Sequence, residues 1–298
     1  MAQTAVAEND TGLPLKELAR RNGLSAAGAL PSLPAYTRQL WAYRHFIASY
    51  ANAKVSSSLG TTRLGMLWQV LTPVINAAVY YVIFGVIIGT KDGAGNFIAY
   101  LCTGVFIFGF TQSTVQAGIN SITGNLGLIR ALHFPRASLP ISVALIEARN
   151  LIAAMVVLMT IVLFTGEPIT LEWLLVVPAL LLQSVFNAGL AMFAARIGSK
   201  VTDLRQLIPF IMRMWMYSSA VLYPITKFTN HVHGWKLDVL EANPLLVFIE
   251  LMRHALMENV QLAGSPRRLW LEAAIWTLVV GAGGYIYFWR GEKGYGRG

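Results

Sequence analysis

Three ionisable side chains, Glu147, Arg149 and Arg213, lie inside long apolar stretches, where a charge would serve either chemistry or structure. Such residues are candidates for function, because a charge removed from water is costly. Glu147 and Arg149 are two residues apart and point to nearly opposite faces of a helix, so we do not expect them to pair. We expect structural or interfacial roles for these two. For Arg213 we expect either an ion pair between spans or a contact with a polar cavity.

Other catalytic patterns are missing from the sequence. It has no Ser/His/Asp set, no paired carboxylates and no His spacing typical of metal ligands, and its single cysteine, Cys102, excludes an internal disulfide framework. It also lacks the G-x-x-x-x-G-K-S/T loop that binds nucleotide phosphates. We therefore predict that the chain is not an enzyme and binds no cofactor or metal. If ATP and Mg²⁺ drive its function, they bind a partner chain.

The composition identifies the solvent around the elements that position these residues. The 298 residues are 55% hydrophobic and only 12% charged, whereas about 25% charged residues are usual in soluble domains. The net charge of +9 is spread beside the apolar stretches, which is typical of residues that set membrane topology rather than bind nucleic acid. The composition therefore predicts an all-α membrane protein.

Six stretches are long enough, or nearly so, to cross ~30 Å of hydrocarbon as helices. They are about 66–88, 97–121, 139–164, 171–195, 207–223 and 269–289. Fifteen of the 23 Lys and Arg residues lie before the first span, after the last span and in the loops after the second and fourth spans. We therefore place both termini in the cytosol and the chain in the plasma (inner) membrane. The predicted divisions are a flexible cytosolic tail (1–35), an interfacial helix with its linker (36–65), a transmembrane domain (66–289) and a cytosolic tail (290–298).

Two further segments are apolar but do not read as spans. The first is an amphipathic helix before the first span, whose apolar residues share an arc of roughly 120°; they are Tyr36, Leu40, Tyr43, Phe46, Ile47 and Tyr50. We expect it to lie at the cytosolic membrane interface, the alternative being a helix packed on another domain. The second, extracellular segment, residues 243–260, is interrupted by four charged or titratable side chains. It fits a re-entrant or interfacial helix before the last span, or a small capping helix.

Four blocks of the sequence, taken in order, resemble the membrane subunits of ABC exporters for polysaccharides, the O-antigen and teichoic-acid permease family. They read LGMLWQVLTPVINAAVYYVIFG, IRALHFPRASLPIS, TDLRQLIPFIMRMWMYSSAVLYPI and NPLLVFIELMRHAL. The triplet Phe134-Pro135-Arg136, followed by Leu139-Pro140, is the most specific match. The sequence as a whole also resembles actinobacterial galactan exporters.

The resemblance implies a homodimer that works with two separate ATPase subunits, embedded among membrane lipids, and exports a lipid-linked cell-wall or surface polysaccharide. It also implies that residues 125–138, called here the coupling loop, dock on the ATPase. The loop residues expected to do so are Leu126, Leu128, Ile129, Arg130, Leu132, His133, Phe134 and Arg136. An exporter of lipids or drugs is the nearest alternative. A multi-pass membrane glycosyl- or acyltransferase would instead require clustered His or carboxylate groups facing one leaflet.

The expected substrate path is aromatic, because ring faces let a sugar chain slide without a fixed hydrogen-bond register. The candidate residues are Trp68, Gln69, Asn76, Tyr80, Phe84, Phe106, Phe108, Phe110, Trp215, Tyr217 and Tyr223. Within the first span, Gln69, Asn76 and Tyr80 fall close to one helix face. That stripe is predicted to face neighbouring spans and the sugar path.

Overall fold

The computed structural model describes residues 31–60, 65–89, 95–224, 240–258 and 260–295, and this part of the chain is helical apart from turns and short connections. Most of the tail predicted for residues 1–35 therefore lies outside the described residues. The helices in chain order are α1 (Leu33–Ala42), α2 (Arg44–Gly60), α3 (Gly65–Tyr80), α4 (Phe97–Ile119), α5 (Leu126–Ala131), α6 (Ser138–Phe164), α7 (Val176–Lys200), α8 (Leu204–Ser218), α9 (Pro244–Leu256) and α10 (Pro266–Trp289).

Four of the described helices, α4, α6, α7 and α10, are long and apolar enough to cross a membrane, with α7 extended at its start by a 3₁₀ turn, Leu171–Leu175. They correspond to the second, third, fourth and sixth predicted spans. α4 lies at the centre, since 78% of its most apolar window is buried against 22–39% for the other three. A central helix with apolar residues on every face is the expected occupant of such a position.

The first and fifth predicted spans are less regular. α3 contains Pro73 and continues into a π-helical stretch, Tyr81–Ile87. α8 has 15 residues and ends at Ser218, five residues before the predicted end of the fifth span. The chain turns there because Ala220 adopts a left-handed conformation with φ of 47°, and the Asn243 side chain donates a hydrogen bond to the Ser218 carbonyl at 3.1 Å.

Helix α9 is almost fully buried. This burial disfavours the interfacial alternative, since such a helix leaves one polar face in water, and the re-entrant and capping alternatives stay predictions. Its charges are paired internally: Arg253 Nη1 lies 2.9 Å from Glu250 Oε1, and neither side chain is exposed. The Arg253 guanidinium also donates hydrogen bonds to the carbonyls of Tyr100, Ala220 and Val221. In the sequence these charges interrupt an apolar segment. In the fold, Arg253 joins α9 to α4 and to the turn after α8.

Helices α7 and α10 approach closely because glycines face each other across the contact. A Cβ added at Gly284 would lie 2.2 Å from the carbonyl oxygen of Gly189, far inside van der Waals contact. The Thr277 hydroxyl adds a hydrogen bond to the Leu182 carbonyl at 3.2 Å. Small residues at helix contacts are a common means of packing helices within membranes.

This contact predicts different outcomes for two neighbouring glycines. Gly284→Ala should lower the free energy of unfolding by about 1–3 kcal/mol, because the added methyl group has no room and the helices must separate. Gly283→Ala, whose Cβ meets nothing within 4 Å, is the matched control, and helix propensity should leave it neutral or slightly stabilised. Thermal unfolding in detergent measures both. Equal midpoints for the two variants would contradict the close packing.

Candidate functional site

A cavity of about 640 Å³ opens between α3, α4, α6 and α8. It contrasts with the apolar helices that form it, because its wall carries amide, hydroxyl and charged side chains. The polar lining residues are Thr72, Asn76, Gln112, Ser113, Gln116, Glu147, Asn150 and Arg213. Two of the four helices that border this polar cavity, α4 and α6, are long and apolar enough to span a membrane.

The central helix α4 supplies one polar stripe of this wall. Gln112, Ser113 and Gln116 are spaced at i, i+1 and i+4, and this spacing places them on one side of the helix. These three residues are not among the path candidates predicted from the sequence, which are aromatic or lie in the first span. The available signal was the recurrence of polar side chains at helical spacing within a span that is otherwise apolar.

The ionisable residues singled out from the sequence separate into two groups. Glu147 and Arg213 both line the cavity, and Asn150 donates a hydrogen bond to Glu147 Oε2 at 3.4 Å. Within the described residues, Arg213 forms no ion pair, because no carboxylate oxygen lies within 4.0 Å of its guanidinium. Of the two roles predicted for Arg213, the structure therefore favours contact with a polar cavity. Arg149 points elsewhere and donates a hydrogen bond to Asn52 on α2.

The predicted path residues also divide. Those on the cavity wall are Trp68, Asn76, Tyr80, Phe106, Phe108 and Phe110. The three phenylalanines are almost fully buried and border the cavity mainly as packing. Trp68 is 52% exposed and presents the largest aromatic surface. The Tyr80 hydroxyl lies 3.8 Å from the sulfur of Met216.

The remaining path candidates are not brought to this cavity. Trp215 lies about 200° around α8 from Arg213, and its Nε1 donates instead to Asn243 Oδ1 at 2.9 Å. Tyr223 lies beyond the end of α8 and its hydroxyl bonds to the Tyr217 carbonyl. Phe84 packs against the core, and the side chain of Gln69 lies outside the described part of the structure.

The aromatic stripe on α1 and α2 contacts the coupling loop, and the position of these helices at the membrane interface stays a prediction. The Phe46 and Phe134 ring centroids are 5.1 Å apart, and the Tyr50 hydroxyl donates to Asn125 Oδ1 at 2.7 Å. The Tyr43 hydroxyl donates to the His133 carbonyl at 3.1 Å. The stripe therefore covers part of the coupling loop, where two of its tyrosine hydroxyls find hydrogen-bond acceptors.

The coupling loop begins in α5 and divides its side chains between the fold and the solvent. Ile129 is buried, and Leu128 and Phe134 pack in the same apolar cluster as Tyr36. The loop side chains most exposed among those predicted to dock are Arg130, Leu132 and His133, with Leu132 51% exposed. The predicted apolar anchor is thus reduced to Leu132 with a half-buried Leu126.

Arg136 was expected to contact a partner but is held internally. Its backbone N–H donates to Glu292 Oε1 at 3.0 Å, and its guanidinium donates to the Glu292 carbonyl. The Tyr36 hydroxyl donates to Glu292 Oε2 at 2.8 Å. Burial raises the pKa of the Glu292 carboxyl, and the hydrogen bonds from Arg136 and Tyr36 partly offset that rise. Burial likewise raises the pKa of the Tyr36 phenol, so this hydroxyl stays a hydrogen-bond donor.

Comparison with known proteins places this architecture in a family. A family model described as ABC-2 type transporter matches residues 49–257, which include the coupling loop and all four helices around the cavity. The chain is 24% identical over 189 residues to the O-antigen export system permease protein RfbA of Myxococcus xanthus, covering 63% of this chain and 72% of the relative. It is 23% identical over 229 residues to the polysialic acid transport protein KpsM of Escherichia coli, covering 76% and 87%. Because the family model covers well over half of its residues, the chain belongs to the ABC-2 type transporter family.

Proposed function

We propose that this chain is the membrane subunit of an exporter that moves a lipid-linked cell-wall or surface polysaccharide outward across the plasma membrane. The observation that carries the proposal is the polar cavity between α3, α4, α6 and α8. Relatives named for O-antigen export and polysialic acid transport support a polysaccharide as the substrate class. Under this proposal the chain is a permease and not an enzyme.

The chemistry of the cavity suits a glycan. Amide and hydroxyl groups such as Gln112, Ser113 and Gln116 can exchange hydrogen bonds with sugar hydroxyls, while the exposed face of Trp68 can stack on a sugar ring. The cavity volume of about 640 Å³ is within the usual range of ligand sites, about 300–1,000 Å³. Neutral polar groups bind each sugar weakly and interchangeably, as movement along a repeating chain requires.

In the proposed membrane arrangement, α3 with its π-helical extension and α8 act as the first and fifth of six spans. Fifteen residues of α8 reach about 22 Å, so the turn after Ser218 and the buried helix α9 would complete that part of the crossing from the extracellular side. Both termini are then cytosolic. Residues 1–35 and 290–298 form the cytosolic tails, residues 36–65 the interfacial helix with its linker, and residues 66–289 the transmembrane domain. The coupling loop, between α4 and α6, lies on the cytosolic side with α1 and α2.

Energy is proposed to come from two ATPase subunits that bind ATP and Mg²⁺, one on each copy of a permease homodimer. Their docking surface would include the exposed loop side chains of Arg130, Leu132 and His133. An apolar side chain exposed on a loop beside two basic or titratable groups is suited to a protein partner, since exposure of apolar surface to water is unfavourable.

Filling the cavity tests the proposed path. Ser113→Trp should reduce polysaccharide export about tenfold or more, because an indole occupies much of the space beside Gln112 and Gln116. Val156→Trp is the matched control, since Val156 lies 62% exposed on the outside of α6. Export is measured as labelled glycan reaching the outer surface, and a hydrophobic dye assayed in parallel separates a glycan exporter from a drug exporter. Wild-type glycan export by Ser113→Trp would contradict the path.

A further inference from the structure

A buried polar junction joins three segments that are distant in the sequence. Tyr36 comes from α1, Arg136 and Ala137 from the end of the coupling loop, and Glu292 from the turn that follows α10. We call these four residues the Glu292 junction. None of its hydrogen bonds faces the cavity, so its role is separate from the substrate path.

The junction is closed, because each carboxylate oxygen of Glu292 accepts one hydrogen bond. Oε1 accepts the Arg136 N–H at 3.0 Å, and Oε2 accepts the Tyr36 O–H at 2.8 Å. The Tyr36 oxygen accepts in turn the Ala137 N–H at 3.1 Å. The ring of contacts therefore depends on both a carboxylate and a phenol.

The two backbone N–H groups in this ring need partners from outside their own helix. Arg136 and Ala137 immediately precede α6, which begins at Ser138, and N–H groups at a helix start have no intrahelical acceptor. The positive end of the helix dipole also favours a carboxylate at this place. Glu292 and Tyr36 thus cap α6 from two other parts of the fold.

Further contacts make α1 and the end of α10 continuous with the junction. Trp289 Nε1 donates to the Pro31 carbonyl at 3.0 Å, and the hydroxyls of Thr37 and Tyr285 are 2.9 Å apart. The junction ties the coupling loop to Tyr36 and Glu292. A movement of the loop must therefore either carry α1 and the end of α10 with it or break the hydrogen bonds of the junction.

We propose that Glu292 is a positioning residue that fixes the coupling loop to α1 and to the last helix, so that displacement of the loop by its partner moves both. This inference rests on the proposed docking of an ATPase on the loop. Glu292 touches neither substrate nor nucleotide in this scheme. It determines how completely a movement at the loop reaches the helices.

The contact itself is testable on the permease alone by hydrogen exchange in detergent. Glu292→Ala should speed exchange of the Arg136 amide by about tenfold or more, as expected for loss of a hydrogen bond to a charged group. The Ala137 amide should respond less, because its acceptor is the Tyr36 hydroxyl. Glu292→Gln keeps an acceptor and should change exchange much less. Lys293→Ala, at the exposed neighbouring position, is the control. Unchanged exchange at these amides in Glu292→Ala would overturn the proposal.

The transmission is tested in the complex with its co-expressed ATPase subunit, by the ratio of glycan exported to ATP hydrolysed. Glu292→Ala should remain folded and retain the ATPase subunit but lower this ratio about tenfold, with Glu292→Gln restoring most of it. A wild-type ratio in Glu292→Ala, or no restoration by Glu292→Gln, would overturn the inference. If Glu292→Ala does not fold, Tyr36→Phe must lower the ratio, because it removes the hydroxyl from both of its hydrogen bonds. Should the wild-type permease bind no ATPase, the proposed function fails, whereas the exchange result still decides the contact.

Discussion

Replacing Arg253 by methionine should destabilise the protein more than any other single change considered, by about 3–5 kcal/mol. The substitution leaves Glu250 charged and buried with no cationic partner, and it removes the donors that hold the carbonyls of Ala220 and Val221. The left-handed turn at Ala220 would also lose its support. Thermal unfolding in detergent and the yield of monodisperse protein measure the loss.

A second Arg–Glu pair in the same chain provides the control. Arg268 lies 2.7 Å from Glu272 and 3.2 Å from Glu241, but its side chain is 47% exposed. Arg268→Met should therefore cost at most about 1 kcal/mol, as is usual for exposed ion pairs. The double variant Arg253→Met with Glu250→Leu should recover part of the loss, since it removes the unpaired charge. Equal unfolding midpoints for Arg253→Met and Arg268→Met would contradict a stabilising role for the hydrogen bonds that join Arg253 to α4 and to the turn after α8.

The second large effect is expected at Leu132, the most exposed apolar side chain of the coupling loop. Leu132→Asp should weaken binding of the ATPase subunit about tenfold to a hundredfold, because the aspartate loses the apolar contact and would be desolvated at the centre of the interface. Export should fall in parallel, with the folding of the permease unchanged, since this side chain is not part of the core. Binding is measured by titrating purified ATPase onto the permease in lipid nanodiscs.

Leu171 offers a matched control for this substitution. It is 86% exposed and lies between α6 and α7, on the side of the molecule opposite the coupling loop in the proposed topology. Leu171→Asp should bind the ATPase as the wild type does. If Leu132→Asp binds as tightly as Leu171→Asp, the loop is not the docking surface.

The length and hydropathy of continuous apolar runs account for the part of the fold that the sequence predicted. Long apolar runs predicted α4, α6, α7 and α10, because length and hydropathy alone decide whether a helix can cross a bilayer. The end of the fifth span could not be read in this way. The end of this span is set by Asn243 and Arg253, which are distant from it in the sequence and donate hydrogen bonds to the carbonyls of Ser218 and Ala220.

The candidate site shows the same limit. A helical stripe can be recognised in the sequence, but its protein partner cannot: the Tyr36–Tyr50 stripe was predicted to lie at the membrane interface, and its contacts with the coupling loop were not predicted. Arg136 was assigned to a partner protein because its acceptor, Glu292, lies 156 positions away. The sequence could place Arg213 within a span, and only the packing of four helices showed that it lines the same cavity as Glu147.

The central claim is that the glycan passes through the cavity between α3, α4, α6 and α8. The most direct measurement is photocrosslinking to labelled polysaccharide during export, with a photoreactive amino acid placed at Asn76 in the cavity or at Ile152, which is 64% exposed on the outside of α6. If the glycan passes through the cavity, we expect glycan adducts at position 76 that depend on ATP hydrolysis, and lipid adducts alone at position 152. Glycan adducts at position 152 with none at position 76, during active export, would contradict passage through the cavity.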